Sequence, residues 1–278
     1  MKIYLITPAW LIKNKKEYKT GIKNLEKLGF KILNKNFPTS QLSVKQKVKQ
    51  IHNAFLNKDV NIILAQRGGY GCIKLLPYID FEMIKNNTKK FCGFSDISVL
   101  LNVIFEKTKL ITYHSPMLIN FANTTEFTIK SFLNAIDGFS EKNLFKRAPI
   151  EILRHGKSEG ILKGGNLVTL TSIIGTQWEI NTKNTILFLE EVDEPLYKVD
   201  RALTQWILTK KFDSIKGLIL GNFRGLKIKD LYQILKQQIK IKFPVVYCPY
   251  IGHLKNKITL PVGAKVRLDT YRGILEVL

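Results

Sequence analysis

Apolar positions in the first half of the chain switch repeatedly between a strand period and a helix period. The run KIYLITPA (2–9) is rich in β-formers and is predicted to be a buried first strand closed by Pro8. Residues 18–28 place apolar side chains at Ile22, Leu25 and Leu28, a helical stripe stopped by Gly29. A short strand is predicted at 31–33, then a helix over 44–56 with Val44, Val48, Ile51, Ala54 and Phe55 on one face. The apolar runs 61–65 and 90–92 read as buried strands. The first leads into Arg67-Gly68-Gly69-Tyr70-Gly71. The second leads into Gly93-Phe94-Ser95-Asp96 and a helix over 97–106. A further strand at 110–113 ends at His114. This alternation predicts an α/β fold whose N-terminal domain is a mostly parallel sheet flanked by helices. Ligands of such sheets bind at the carboxyl ends of the strands, where both unusual turns lie.

The stretch 141–157 is polar and basic, contains Pro149 and Gly156, and reads as a linker between domains at 1–140 and 158–278. Beyond it, Gly164-Gly165-Asn166-Leu167 is expected to open an apolar helix through Ile174. Strands are predicted at 186–189, ending in Glu190-Glu191, and at 218–220, with helices at 199–208 and 231–239. Residues 245–247 precede Gly252-His253, and 259–278 reads as paired strands around Tyr271-Arg272-Gly273. The second half is therefore expected to be a smaller, mixed α/β C-terminal domain.

Composition narrows the function classes. At 278 residues, 45% hydrophobic and 24% charged, the chain matches globular averages and not those of a disordered or fibrous protein. No apolar run reaches the roughly 18 to 20 residues of a membrane span. Cys72, Cys92 and Cys248 are too few and too scattered for a disulfide framework or zinc ribbon, and read as buried thiols in a reducing compartment. The net charge of +22 raises the question of a nucleic-acid partner. The lysines are dispersed at spacings that suit outer helix faces, and the chain is rich in Ile and Asn, so compositional drift explains the charge better. Neither a nucleic-acid nor a membrane partner is expected. The N-terminal IYLITPAWLI loosely resembles a signal peptide, but it lacks a small-residue cleavage site and runs into KNKKEYK. A first strand and a cytoplasmic location are the expectation.

Candidate chemistry centres on Ser95, on a tight turn between a buried strand and a helix. Such a turn exposes the hydroxyl at the sheet edge and offers helix-start amides to a developing negative charge. The usual G-x-S-x-G is not matched, because Ile97 replaces the last glycine, and a simple helix cap is the competing reading. Of four histidines, His52 lies in a helix pattern and His155 in the linker, which leaves His114 and His253 as candidate bases. Glu190 ends a buried strand, where a carboxylate needs a partner. The turn at 67–71 could present amides to a phosphate or an oxyanion, but it lacks the spacing of a P-loop or dinucleotide fingerprint. No metal-ligand spacing occurs.

The motifs in order carry more than each alone. RGGYG (67–71), GFSD (93–96), GGNL (164–167) with GTQW (175–178), LEEVDE (189–194) with DR (200–201), and GH (252–253) with TLPVGA (259–264) resemble the LD-carboxypeptidase family of serine peptidases. The resemblance implies a Ser95–Glu190–His253 triad divided between two domains, with Gly69 and Asp96 amides as the oxyanion hole. It implies no cofactor and no metal. It is nearest to the murein tetrapeptide enzymes of cell-wall recycling, which are cytoplasmic and release terminal D-Ala from an L,D bond. Relatives that cleave a peptide–nucleotide antibiotic share the triad. Arg67 is the candidate cation for the substrate α-carboxylate, and Asn166 and His114 are further candidate substrate contacts. The family's dimerisation makes a homodimer an expectation, although no interface is visible in the sequence. One departure is Ser115-Pro116 where the family usually has Gly-Pro, which bears on substrate range.

Overall fold

The computed structural model describes residues Met1–Leu278. The first half runs β1 (Lys2–Ile6), α1 (Lys15–Lys27), β2 (Lys31–Ile32), α2 (Val44–Leu56), β3 (Ile62–Ala65), a 3-10 segment (Cys72–Tyr78), α3 (Phe81–Asn86) and β4 (Lys90–Gly93). A single 3-10 turn (Ser95–Ile97) then leads into α4 (Ser98–Thr108), β5 (Thr112–His114), α5 (Leu118–Phe121) and α6 (Glu126–Ile136). Side-chain caps start the long helices: Asn14 accepts the Lys16 and Glu17 amides of α1, and Ser43 with Gln46 forms a reciprocal cap on α2. β3 is buried at every position. Its Ile62 and Leu64 enter one core and its Ile63 and Ala65 the other, as the two-residue strand period requires.

The second half runs β6 (Glu151–Arg154), β7 (Lys157–Asn166), α7 (Leu167–Thr171), β8 (Thr185–Glu191), α8 (Leu196–Leu208), β9 (Gly217–Phe223) and α9 (Ile228–Gln238). It ends in β10 (Val245–Tyr247), β11 (Leu260–Val262), β12 (Lys265–Asp269) and β13 (Ile274–Val277). The strands form two sheets, ordered β11-β5-β4-β3-β1-β2 and β13-β12-β7-β8-β9-β10-β6. The first is parallel except for β11, and the second is parallel through β7-β8-β9-β10 with antiparallel strands at its flanks.

Three features differ from the pattern reading. Gly164-Gly165-Asn166 ends β7, and Asn166 caps the expected helix, which begins at Leu167 but stops at Thr171, short of Ile174. The stretch 141–157 is not a free linker, because Leu144 and Phe145 are buried and 151–154 pairs with β10 as an edge strand. Two adjacent apolar residues in a basic segment gain more from burial than from solvent. β11 leaves the second half to extend the first sheet, with Leu260 opposite His114.

The halves also meet along a close seam between α4 and β7. Asn102 Nδ2 donates to Ser98 O and Gly164 O, both at 2.8 Å, and Gly164 N–H donates back to Asn102 Oδ1 at 3.2 Å. Asn166 N–H donates to Ser98 Oγ at 3.2 Å. Gly164 and Gly165 sit at φ +142 and +145, and a Cβ on them would overlap the Phe188 carbonyl and the Ser98 hydroxyl respectively. Only glycine permits both the backbone conformation and the approach. A continuous apolar core, including Val99, Leu100, Leu189 and Ile251, spans both halves.

Gly164→Ala is therefore expected to lower unfolding free energy by about 3 to 5 kcal/mol, combining backbone strain with overpacking. Gly175, at φ +83 with nothing near its Cβ position, should cost only about 1 to 2 kcal/mol when changed to Ala. Urea unfolding of both variants checks this, and equal costs would remove the close approach of the Phe188 carbonyl as the reason for glycine at 164.

Candidate active site

Ser95 occupies the turn between β4 and α4 at φ +65, a left-handed conformation uncommon for a residue with a side chain. It is half-buried. The RGGYG turn lies against it: a Cβ on Gly68 would come within 2.9 Å of Ser95 Oγ. The next residue ties the two turns together, because buried Asp96 accepts the Cys72 amide at 2.9 Å through Oδ2. Burial is the main influence on Asp96 and raises its carboxyl above the ordinary value, with the Cys72 hydrogen bonds and Lys47 opposing. Gly69 packs under the Trp10 ring. Arg67 donates to Leu11 O at 3.3 Å and lies 5.8 Å from the Trp10 ring centroid, so it braces the loop instead of standing free as a carboxylate reader.

The other half of the site comes from β8 and the loop after β10. Glu190 is fully buried, and its Oε2 lies 2.8 Å from His253 Nδ1. Space for the carboxylate comes from Gly252, at φ +119, where a Cβ would approach Oε2 to 2.8 Å. Burial is the strongest single influence on Glu190 and opposes its charge. His253, then His114 and Lys257, more than offset it, leaving the carboxyl below its ordinary value. The His253 side chain keeps 21% of its surface exposed. Its ring lies 4.8 Å from that of Phe94, the residue before Ser95. The Glu–His hydrogen bond is formed, whereas Ser95 has no hydrogen bond to His253; apo catalytic bonds are commonly the last to close.

Adjacent strand residues point oppositely, and the two glutamates divide accordingly. Glu191 turns away to accept Asn166 Nδ2 at 2.7 Å and the Val168 and Val192 amides at 2.8 and 2.9 Å. Asn166 in turn caps α7 through the Thr169 amide. With only 5% exposure, Asn166 acts in this structure as a joint between β7, α7 and Glu191.

His114 is enclosed in the same way. It is 3% exposed, sits edge-on to Phe94 and Phe188, and its Nε2 has no partner. Burial pulls it down to about 4, with Glu190 opposing, so it is a neutral ring beneath the site. His52 accepts the Asp80 amide and exposed His155 stacks on Tyr271, so neither joins the site. Ser115 is buried and donates to Pro116 O, filling interior space without lining the cleft. All three cysteines are free and buried. Pattern reading missed Lys257, which is 5% exposed and lies among the triad candidates. Its only sequence signal is a lysine four residues after His253, indistinguishable from many surface lysines.

A strained serine on one α/β unit, beside a buried Glu–His pair from a second, defines the class of serine-type hydrolases. Models of the LD-carboxypeptidase N-terminal and C-terminal domains match residues 3–115 and 159–268, and the chain belongs to this family of serine-type carboxypeptidases. It is 32% identical to the probable murein peptide carboxypeptidase of Bacillus subtilis, over 81% of this chain and 74% of that protein. It is 29% identical to the murein tetrapeptide carboxypeptidase of Pseudomonas aeruginosa (83% and 79% covered) and 27% identical to the microcin C7 self-immunity protein MccF of Escherichia coli (92% and 86%). Among solved structures, an MccF-like protein from Bacillus anthracis superposes with TM-score 0.88 at 26% identity, covering 100% of this chain and 96% of that one. No helix is long and apolar enough to cross a membrane.

The buried His114 links stability to pH. Unfolded, it binds a proton below about 6.5; folded, only below about 4. The unfolded state therefore holds more protons in this window, and the stabilisation present above pH 6.5 is lost as pH falls toward 4. Between pH 7 and pH 5 this contributes a loss of about 2 kcal/mol. In His114→Phe that contribution should vanish, which urea midpoints at the two pH values measure.

Proposed function

We propose that Ser95, His253 and Glu190 act as a catalytic triad that removes the C-terminal D-Ala from murein tetrapeptides during cytoplasmic wall recycling. The observation that carries this reading is the 2.8 Å bond between a fully buried Glu190 and Nδ1 of the partly exposed His253. Glu190 accepts the Nδ1 proton, which leaves Nε2 as the base. His253 takes the Ser95 proton as the hydroxyl attacks the carbonyl before D-Ala, then returns it to the leaving amine. Gly69 and Asp96 amides are assigned to the oxyanion; losing one such donor costs about 3 kcal/mol of barrier.

A cavity of about 630 Å³ beside the RGGYG turn supports an anionic peptide. Half-exposed Trp10 and Tyr70 line it together with Lys13, Lys47, Arg67 and Lys74, and no carboxylate does. The similarity to a microcin self-immunity protein supports a second reading, a peptide–nucleotide substrate cleaved by the same triad.

Incubation with defined tetrapeptides and with an aminoacyl-nucleotide, followed by mass spectrometry, separates the two. Loss of one D-Ala is the expected result. Ser95→Ala should abolish turnover with the fold retained. Glu190→Gln should lower kcat by roughly 10² to 10⁴ with KM little changed, because the amide cannot hold the required tautomer. Glu191→Gln should instead lower stability through its three hydrogen bonds and leave kcat within severalfold. A mild Glu190→Gln beside a crippling Glu191→Gln would reverse the assignment.

A further inference from the structure

Lys257 is buried, yet a charged lysine in such a place needs partners. Its partners lie around the triad. Nζ donates to Gly252 O at 2.8 Å and also to Leu254 O, the carbonyls immediately before and after His253. The third side of the ammonium faces the Phe94 ring, 4.6 Å from its centroid. That ring also packs on His253 and precedes Ser95. The root of the lysine is fixed as well: its N–H donates to Thr128 Oγ1 at 2.9 Å, and that hydroxyl donates to Lys255 O. Among titratable groups, Glu190 from β8 favours the charged ammonium, the ammonium disfavours charge on His114 at the end of β5, and His253 lies between the two carbonyls it bonds; α6 contributes the Thr128 hydroxyl to the lysine backbone. Glu190 Oε1 has no hydrogen-bond partner, so that oxygen depends on nearby charge.

We propose that the Lys257 ammonium is a positioning residue for the triad, clamping the two carbonyls that flank His253 against Phe94 and adding a fixed positive charge near the Glu190–His253 pair. A neutral amine keeps two donors but loses the charge. Burial pulls Lys257 down to about 8, with Glu190 opposing, so the charged form is lost as pH rises through that value. Activity should therefore fall on an alkaline limb near pH 8. Stability moves the opposite way. The unfolded lysine holds its proton to about 10.5 and the folded one only to about 8, so the folded state gains as pH rises between them. A part that only supported the fold would not produce that divergence.

This inference rests on the triad assignment above. The test compares kcat–pH profiles, on the substrate that the wild type cleaves, for the wild type, Lys257→Met and Lys257→Arg, with urea stability alongside. Lys257→Met takes the donor from two buried carbonyls and a nearby cation from Glu190, so it is expected to be less stable than the wild type yet still folded under assay conditions, which the urea midpoint checks. Its kcat at pH 7 should fall roughly tenfold or more, with KM within about twofold. Lys257→Arg keeps the charge at all working pH values, so it should recover much of kcat and move the alkaline limb up by more than about one unit. Wild-type kcat in Lys257→Met, or an unmoved limb in Lys257→Arg, overturns the proposal. If the wild type cleaves neither substrate class, the triad reading fails separately. The low-field ¹H–¹⁵N signal of the His253 Nδ1 proton then decides the role of Lys257. Broadening or loss in Lys257→Met supports the clamp, and an unchanged signal overturns it.

Discussion

The site depends on how closely β7 approaches the start of α4. Ser95 leads into α4, and Asn166 at the end of β7 is the parallel neighbour of Glu190 on β8. The distance between the two halves of the site is thus set where Ser98 and Asn102 meet Gly164, Gly165 and Asn166. Those hydrogen bonds are buried, so breaking one leaves a polar group without water, which costs more than the bond itself contributes. The apolar core that spans the seam reinforces it. Domains joined by a large hydrophobic interface do not swing freely, which keeps the serine turn and the Glu190–His253 pair in a fixed relation.

Around this seam the interior is polar by arrangement. Glu190 lies fully buried next to one cation, one neutral imidazole and one partly exposed imidazole, from Lys257, His114 and His253. In a low-dielectric interior each of these groups is costly alone. His253, through its hydrogen bond and proximity, and secondarily Lys257 offset the burial that would otherwise protonate the carboxyl. The first half repeats the logic on a smaller scale, where Asp96 lies beside the Cys72 amide and within reach of the Lys47 charge. The same carboxylate that flanks Ser95 anchors the end of the RGGYG turn, so the serine turn and the glycine-rich turn share one support.

Lysine abundance reaches inward as well as outward. Lys47, Lys163, Lys211 and Lys257 are all buried, and each ammonium meets a backbone carbonyl. Lys163 adds Glu106 of α4 at 2.6 Å, a second polar tie across the seam. The remaining cations are mostly exposed, and those that form surface pairs, such as Lys130 with Glu126, contribute little to stability. The +22 charge is therefore a property of the whole surface, with its buried members under separate geometric control.

Local pattern was enough for what is local. The helix over 44–56, the strands at 61–65 and 90–92, the serine turn and the glutamate at a strand end could all be read from periodicity and turn chemistry. Each is set by one element's own apolar face and its terminating residues. The ordered motifs carried the family, because they record several such sites at once. The assignments that failed needed distant partners. Asn166 does cap α7, as local pattern suggests, but Gly164 and Gly165 belong to β7, with β8 and α4 packed on either side. Asn166 and His114 are polar residues near a site by position, but burial turns one into a joint and the other into a neutral ring. β11 reads as part of a C-terminal hairpin, yet its apolar edge pairs with β5 in the other sheet. Lys257 is one lysine among many until Gly252 O, Leu254 O and Phe94 close around it. Sequence determines which faces are apolar and which turns are tight. Only tertiary packing decides which polar groups lose their water, and that loss makes them structural or functional.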